Sequence, residues 1–354
     1  MADSLIKKDR FDYIDIAKAL GMLTIMWGHI AIGKSVTFVY AFHIPLFFFL
    51  SGMVFVKDKY HNFSSFVMRR IHTLIIPYLI YSFVTWVVWV AFSYATHAHV
   101  ESYWMPLLET LIGQGSEGYL VHNVPLWFVS CLFVIELAYY WIAKLHDVWN
   151  VVVCLLLAAV GYVLVNYCPF FDFTTLPWSI EVAMMAMIFY STGNLFVKNI
   201  GHEKFKTWVS RIQVVSVLFV LALFSITYFG GELNGKVSMG HAQINNPFLF
   251  YPIGYVGTFA MLILTMLLSV WVKDSKIGNA VKWFGQNCFI AMAIHNPIKG
   301  FVVFVLASVL GIGKGAVMRG TGTALLALLI TLVVTVGLMV LIVKIKEHRK
   351  NKKQ

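Results

Sequence analysis

Apolar runs of about 20 residues follow one another along this chain, and they constrain the fold more than any other feature. Ten can be drawn, at about 13–33, 36–56, 71–95, 125–143, 151–167, 178–198, 212–229, 248–272, 287–311 and 322–345. Each is about the length a helix needs to cross the hydrocarbon core of a bilayer. Inside lipid, a backbone must satisfy its own polar groups, so only helices and closed barrels span. The runs are continuous, whereas barrel strands alternate lipid-facing and lumen-facing residues. The composition agrees: 60% of residues are hydrophobic and 12% charged, against roughly a quarter charged in a soluble domain. The expected fold is all-α, a polytopic membrane protein of about ten transmembrane helices. No Gly/Ser/Pro-rich linker divides it, so residues 1–354 read as a single integral-membrane domain.

A formal charge of +11 raises nucleic acid as a partner, until its distribution is read. Of the 27 Lys and Arg, 21 lie in the two tails and the even-numbered loops. The odd-numbered loops hold only Lys34, Lys236, Lys314 and Arg319, and two lysines, Lys18 and Lys299, fall within spans. This is the positive-inside bias, and it places both termini in the cytoplasm. The partner it implies is the lipid bilayer, not nucleic acid. The first run lacks a small-residue cleavage site and reads as a retained helix. Cys131, Cys154, Cys168 and Cys288 form no C-x-x-C pair and three lie in apolar runs, which argues against a disulfide framework or zinc site. Asn62-Phe63-Ser64 fits the glycosylation pattern, but its loop is assigned to the inside. The longest outer loop, 96–124, has no Lys or Arg but carries His97, His99, Glu101, Glu109, Glu117 and His122. It reads either as a short re-entrant or interfacial helix over a pocket or as a solvated connection.

Ionisable groups inside spans are the candidates for chemistry, because they are costly in hydrocarbon. Lys18 and His29 share the first span. Eleven residues apart on a helix, they differ by roughly 20° in direction and by about 16 Å in height. They lie on one face at two depths, Lys18 near the cytoplasmic end and His29 in the outer half. Asp15, one turn below Lys18, is placed to pair with it. Snorkelling of Lys18 and a packed core histidine are the plain alternatives. His43 lies in the outer half of the second span, one short turn away, so it can approach His29. Pro45 predicts a kink there, and Ser51-Gly52 permits close helix approach. Arg69 and Arg70 open the third span at the cytoplasmic face, either as topology anchors or as a clamp for phosphates. Trp127 reads as part of an interfacial belt. Glu181 is an acid near the outer end of the sixth span. His295 lies within the ninth span, ahead of Pro297, which predicts local unwinding, and Lys299, which needs a polar neighbour. No Walker A loop, H-E-x-x-H or G-x-S-x-G is present.

Several ordered stretches resemble the acyltransferase family 3 membrane proteins. In "YIDIAKALGMLTIMWGH", Asp15 and Lys18 are followed after ten residues by His29. "FHIPLFFFLSGMVF", "RRIHTLIIPY", "PLWFVSCLF" and "FGQNCFIAMAIH" follow in family order, the last two resembling the fucose-4-O-acetylase-like branch. Lys18 stands where Arg is the commoner choice, which removes bidentate geometry at that point. The resemblance implies transfer of an acyl group, usually acetyl, from cytoplasmic acetyl-CoA to a hydroxyl of a cell-surface or lipid-linked carbohydrate, in the inner membrane of a bacterium. It implies donor binding by Lys18, Arg69 and Arg70, and catalysis by His29, as general base or transient acyl carrier. His43, Glu181 and His295 complete the candidate catalytic set, and no metal is implied. The rival functions are a membrane carrier or flippase for a sugar-containing solute, and a membrane sensor or assembly subunit without chemistry.

Overall fold

The structure is a computed structural model that describes residues 11–115, 118–167, 176–211, 213–273 and 275–352. Glu117, Cys168 and the basic residues Lys7, Lys8, Arg10 and Lys353 lie outside the described residues. In chain order the helices are α1 (Asp12–Ile30), α2 (Lys34–Tyr40), α3 (His43–Met53), α4 (Phe63–Arg70), α5 (Ile76–Ala95), α6 (Met105–Ile112), α7 (Trp127–Ile142) and α8 (Asp147–Tyr167). They continue as α9 (Ile180–Asn199), α10 (His202–Arg211), α11 (Gln213–Asn234), α12 (Pro247–Trp271), α13 (Lys276–Gln286), α14 (Cys288–Leu310), α15 (Lys314–Arg319) and α16 (Thr321–Asn351). Among the described residues no strand forms beyond one isolated bridge, Ser238 to Gln243. The protein is an all-α polytopic membrane protein.

Each expected span has its helix. Nine helical stretches among the described residues are long and apolar enough to cross a membrane. The remaining one, α1, carries Asp12, Asp15 and Lys18 in its first two turns and packs in the middle of the bundle, against α3, α12, α13 and α14. A helix surrounded by protein can keep charges that a lipid-facing helix cannot. The lipid-facing role falls to α8, α11 and α16, which are mostly exposed along their apolar lengths.

Small residues set the closest crossings. A Cβ at Gly52 on α3 would overlap the Tyr190 carbonyl of α9, and one at Gly193 on α9 would overlap the Phe49 carbonyl of α3. The Ser51-Gly52 reading is therefore met by a reciprocal glycine on the partner helix. Gly285 on α13 sits in the same way against the Asp15 carbonyl of α1. The second span is not one helix: it breaks at Ala41 and Phe42, and α3 restarts at His43 with Pro45 in its first turn. Pro suits that position because the first-turn N–H has no helical partner. Asn62 caps α4, its side chain accepting from the Ser65 N–H.

Pro297 does not unwind its helix; α14 is continuous from Cys288 to Leu310. Proline lacks the N–H that would bond four residues back, which frees the Ala293 carbonyl. The Asn123 side chain, from the loop before α7, donates to that carbonyl at 2.6 Å. The unmade helical bond is thus replaced from outside the helix, the usual condition for proline inside a membrane. The 96–124 loop takes the helical form of its two readings, with α6 inside it. It is tied down by Tyr78 Oη to the Thr110 carbonyl and Trp86 Nε1 to the Tyr103 carbonyl, both at 2.6 Å.

Candidate active site

A cavity of about 290 Å³ lies against the face of α1 that carries Lys18, Met22, Ile25 and His29. Those residues recur at intervals of four, three and four, so one helical stripe lines it from end to end. The shared face expected for Lys18 and His29 is present, and both side chains open into the same space. The other walls come from α3, α7, the 238–241 turn and the junction of α13 with α14.

At the Lys18 end the neighbours are Gly285, Gln286 and Cys288. Asp15 accepts from Gln286 Nε2 at 3.1 Å, and Asp12 accepts from Lys282 Nζ at 3.0 Å. These two acids tie α1 to α13 and fix the height of Lys18 on the wall. The α5 side contributes Leu74, from a single π-helical turn at Ile71–Ile75 that follows Arg70 and precedes Pro77. Such turns mark functional sites often enough to be noticed.

At the other end, three histidines line the cavity: His29, His43 and His241. His43 donates from Nδ1 to the Val39 carbonyl at 2.6 Å. That bond fixes the tautomer and leaves Nε2 with a free lone pair. The Tyr40 ring lies edge-on to the His43 ring, with centroids 4.8 Å apart, and Lys236 Nζ sits over the opposite partner of that pair, 4.9 Å from the Tyr40 centroid. Gly28 makes room for Tyr40, since a Cβ there would approach its ring to 2.6 Å. His241 Nδ1 is 2.6 Å from the Ser238 hydroxyl. Trp127 is buried at 6% exposure and forms cavity wall, not interfacial belt. Gly115 and Gly240 crowd its ring, where a Cβ would come within 2.7 and 2.8 Å.

His295 stands beside His29, with ring centroids 5.5 Å apart. It is fully buried and its Nδ1 faces the Ala291 and Met292 carbonyls at 3.1 and 2.9 Å, while Nε2 has no hydrogen-bond partner. The nitrogen near the carbonyls must carry the proton, so Nε2 is the basic one. His295 does not itself line the cavity; it backs the histidine that does.

The remaining expected site residues are elsewhere. Glu181 is buried at the start of α9, where one carboxylate oxygen accepts from the Leu176 N–H at 2.9 Å. It is not among the residues that line the cavity, and its visible work is to cap the segment entering α9. Arg70 is paired: its Nε lies 2.7 Å from Glu136 of α7, and its guanidinium packs over Phe66 and Tyr60. Arg69, the preceding residue of α4, is exposed. The anchor-or-clamp alternatives thus separate, with Arg70 committed to an internal ion pair and Arg69 open to solvent. The sequence reading missed the Ser238-to-His241 turn. Its one visible signal was a histidine five residues after Lys236 in the loop between the seventh and eighth spans, and nothing in spacing connected that loop to α1.

A half-buried lysine and three histidines thus line one largely apolar cavity inside the helix bundle. A sequence model described as an acyltransferase domain, that of acyltransferase family 3, matches residues 11–344. The chain belongs to this family and is a membrane acyltransferase. No match was found among curated proteins or among solved structures.

Proposed function

We propose that the protein moves an acetyl group from cytoplasmic acetyl-CoA, along the α1 cavity, to a hydroxyl of a cell-surface or lipid-linked carbohydrate at the outer end, in the inner membrane of a bacterium. The observation that supports this most directly is the placement of Lys18 and His29 at two ends of one cavity, about 16 Å apart along the helix. Lys18, with Arg69 at the nearby cytoplasmic surface, supplies positive charge for the anionic part of the donor. The thin thioester arm lies along the apolar Met22 and Ile25.

His29 takes the acceptor hydroxyl proton as that oxygen attacks the thioester carbonyl, and the thiolate of coenzyme A leaves toward the cytoplasm. His295 positions the His29 ring. His43 and His241 stand on the acceptor side with Trp127, whose ring is a natural surface for a sugar.

The test is transfer of label from [acetyl]-acetyl-CoA to carbohydrate by membranes containing the protein. His29→Ala should nearly abolish transfer at unchanged membrane level, since a positioned general base contributes about 10²–10⁴-fold. Wild-type transfer by a normally inserted His29→Ala variant would remove His29 from catalysis. Transport of an unmodified solute without label transfer would restore the carrier reading.

A further inference from the structure

A second cavity, of about 870 Å³, lies on the opposite side of α14, walled by α5, α14 and α16. Its walls are apolar and run lengthwise: Phe92 and Val88 on α5, Val305 and Phe301 on α14, Val334 and Leu338 on α16. Several of these residues are also exposed on the lipid-facing side, so the groove opens sideways into the bilayer.

The ionisable groups that line it are all basic: Lys299, Lys314 and His122 are present, and no Asp or Glu is. Among the described residues, Lys299 has no carboxylate within ion-pair distance. His122 is 3% exposed and neither of its ring nitrogens has a hydrogen-bond partner. Lys314 reaches down from the start of α15, its ammonium 5.2 Å from the Phe304 centroid. Both lysines line the one groove, and their long, flexible side chains can close on a single anion held between them.

We propose that this groove binds one anionic glycerophospholipid of the bilayer, its phosphate between Lys299 and Lys314 and its acyl chains along α5, α14 and α16. His122 offers a ring N–H deeper in the groove for an ester oxygen. An unpaired lysine facing hydrocarbon is costly, and among the molecules that can enter sideways from a bilayer, a phospholipid supplies both the counter-charge and the chains. This site is separate from the α1 cavity and stands whether or not the acyl-transfer reading holds.

The experiment is lipid retention by the full chain, delipidated in detergent, offered phosphatidylglycerol or diacylglycerol and weighed by native mass spectrometry. One phosphatidylglycerol should be retained per chain and diacylglycerol should not. The double variant Lys299→Met/Lys314→Met should lower phosphatidylglycerol retention at least ten-fold. Lys34→Met, at an exposed outer lysine, should leave it unchanged. If the double variant fails to fold, Val334→Trp fills the groove while keeping both lysines and should also abolish retention. Equal retention of diacylglycerol, or undiminished retention in the folded charge-free or groove-filled variant, overturns the site. A retained sugar-bearing lipid in place of phosphatidylglycerol overturns the assignment of its occupant.

Discussion

Arg70→Met tests whether the second arginine of the "RR" pair serves the fold or the donor. In the structure its Nε lies 2.7 Å from Glu136, with side chains 18% and 7% exposed. Glu136 keeps only the Tyr190 hydroxyl, at 3.3 Å, when the arginine goes. Removing one partner of such a buried pair costs about 3–5 kcal/mol, because the other charge stays buried and uncompensated. Protonation of Glu136 offers an escape that puts the effect toward the lower end. At roughly 2–4 °C per kcal/mol for chains somewhat shorter than this one, the thermal midpoint should fall by on the order of 5–15 °C. The double variant Arg70→Met/Glu136→Met should recover most of that loss, since replacing both members by apolar groups is close to neutral. The assay is loss of the monodisperse peak on size exclusion after heating in detergent, at one fixed heating schedule because unfolding is irreversible. Alongside it, the KM for acetyl-CoA is measured on the surviving folded protein and should be unchanged. A midpoint within 2 °C of wild type, no recovery in the double variant, or a raised donor KM in a fully stable Arg70→Met would refute the structural assignment and return Arg70 to the donor site.

Four further outcomes are expected. Gly52→Ala and Gly193→Ala should each destabilise by about 1–3 kcal/mol or more through overpacking of the α3–α9 crossing, whereas Gly300→Ala, with nothing within 4 Å of the added methyl, should be neutral or slightly stabilising; midpoints from the same heating assay decide it. Arg69→Gln should raise the acetyl-CoA KM without lowering the thermal midpoint, and an unchanged KM reduces Arg69 to a topology anchor. In a cysteine-free background, Ser102→Cys should react with an impermeant maleimide from outside and Lys276→Cys only after permeabilisation; the reverse pattern inverts the direction of transfer. Burial holds the His122 imidazole down at about 4, from an ordinary 6.5, so the unfolded chain binds its proton first. Its contribution is intact above pH 6.5 and declines as the pH falls toward 4, by up to about 3 kcal/mol; His122→Gln should flatten that part of the stability–pH curve, and an unaltered curve would exclude it.

The order and extent of the membrane helices could be read from the chain because lipid imposes a local rule. A segment that cannot hydrogen-bond to its surroundings must close its own bonds and present apolar side chains, and both requirements are written in the 20 residues concerned. The common face of Lys18 and His29 was legible for the same kind of reason, since helical geometry alone relates residues eleven apart. Four arrangements were decided only by packing. Lys18 can point into a cavity instead of snorkelling because α13 closes on α1 at Gly285, a contact between residues 270 positions apart. Arg70 and Glu136 meet, and His295 comes to stand behind His29, through helix neighbours that no periodicity encodes. Glu181 looked equivalent to any other acid in a span, and only the chain path through Leu176 turned it into a cap. Local sequence specifies which residues are costly in the membrane; the tertiary structure determines which of those costs are met by a partner and which are left open to a substrate or a lipid.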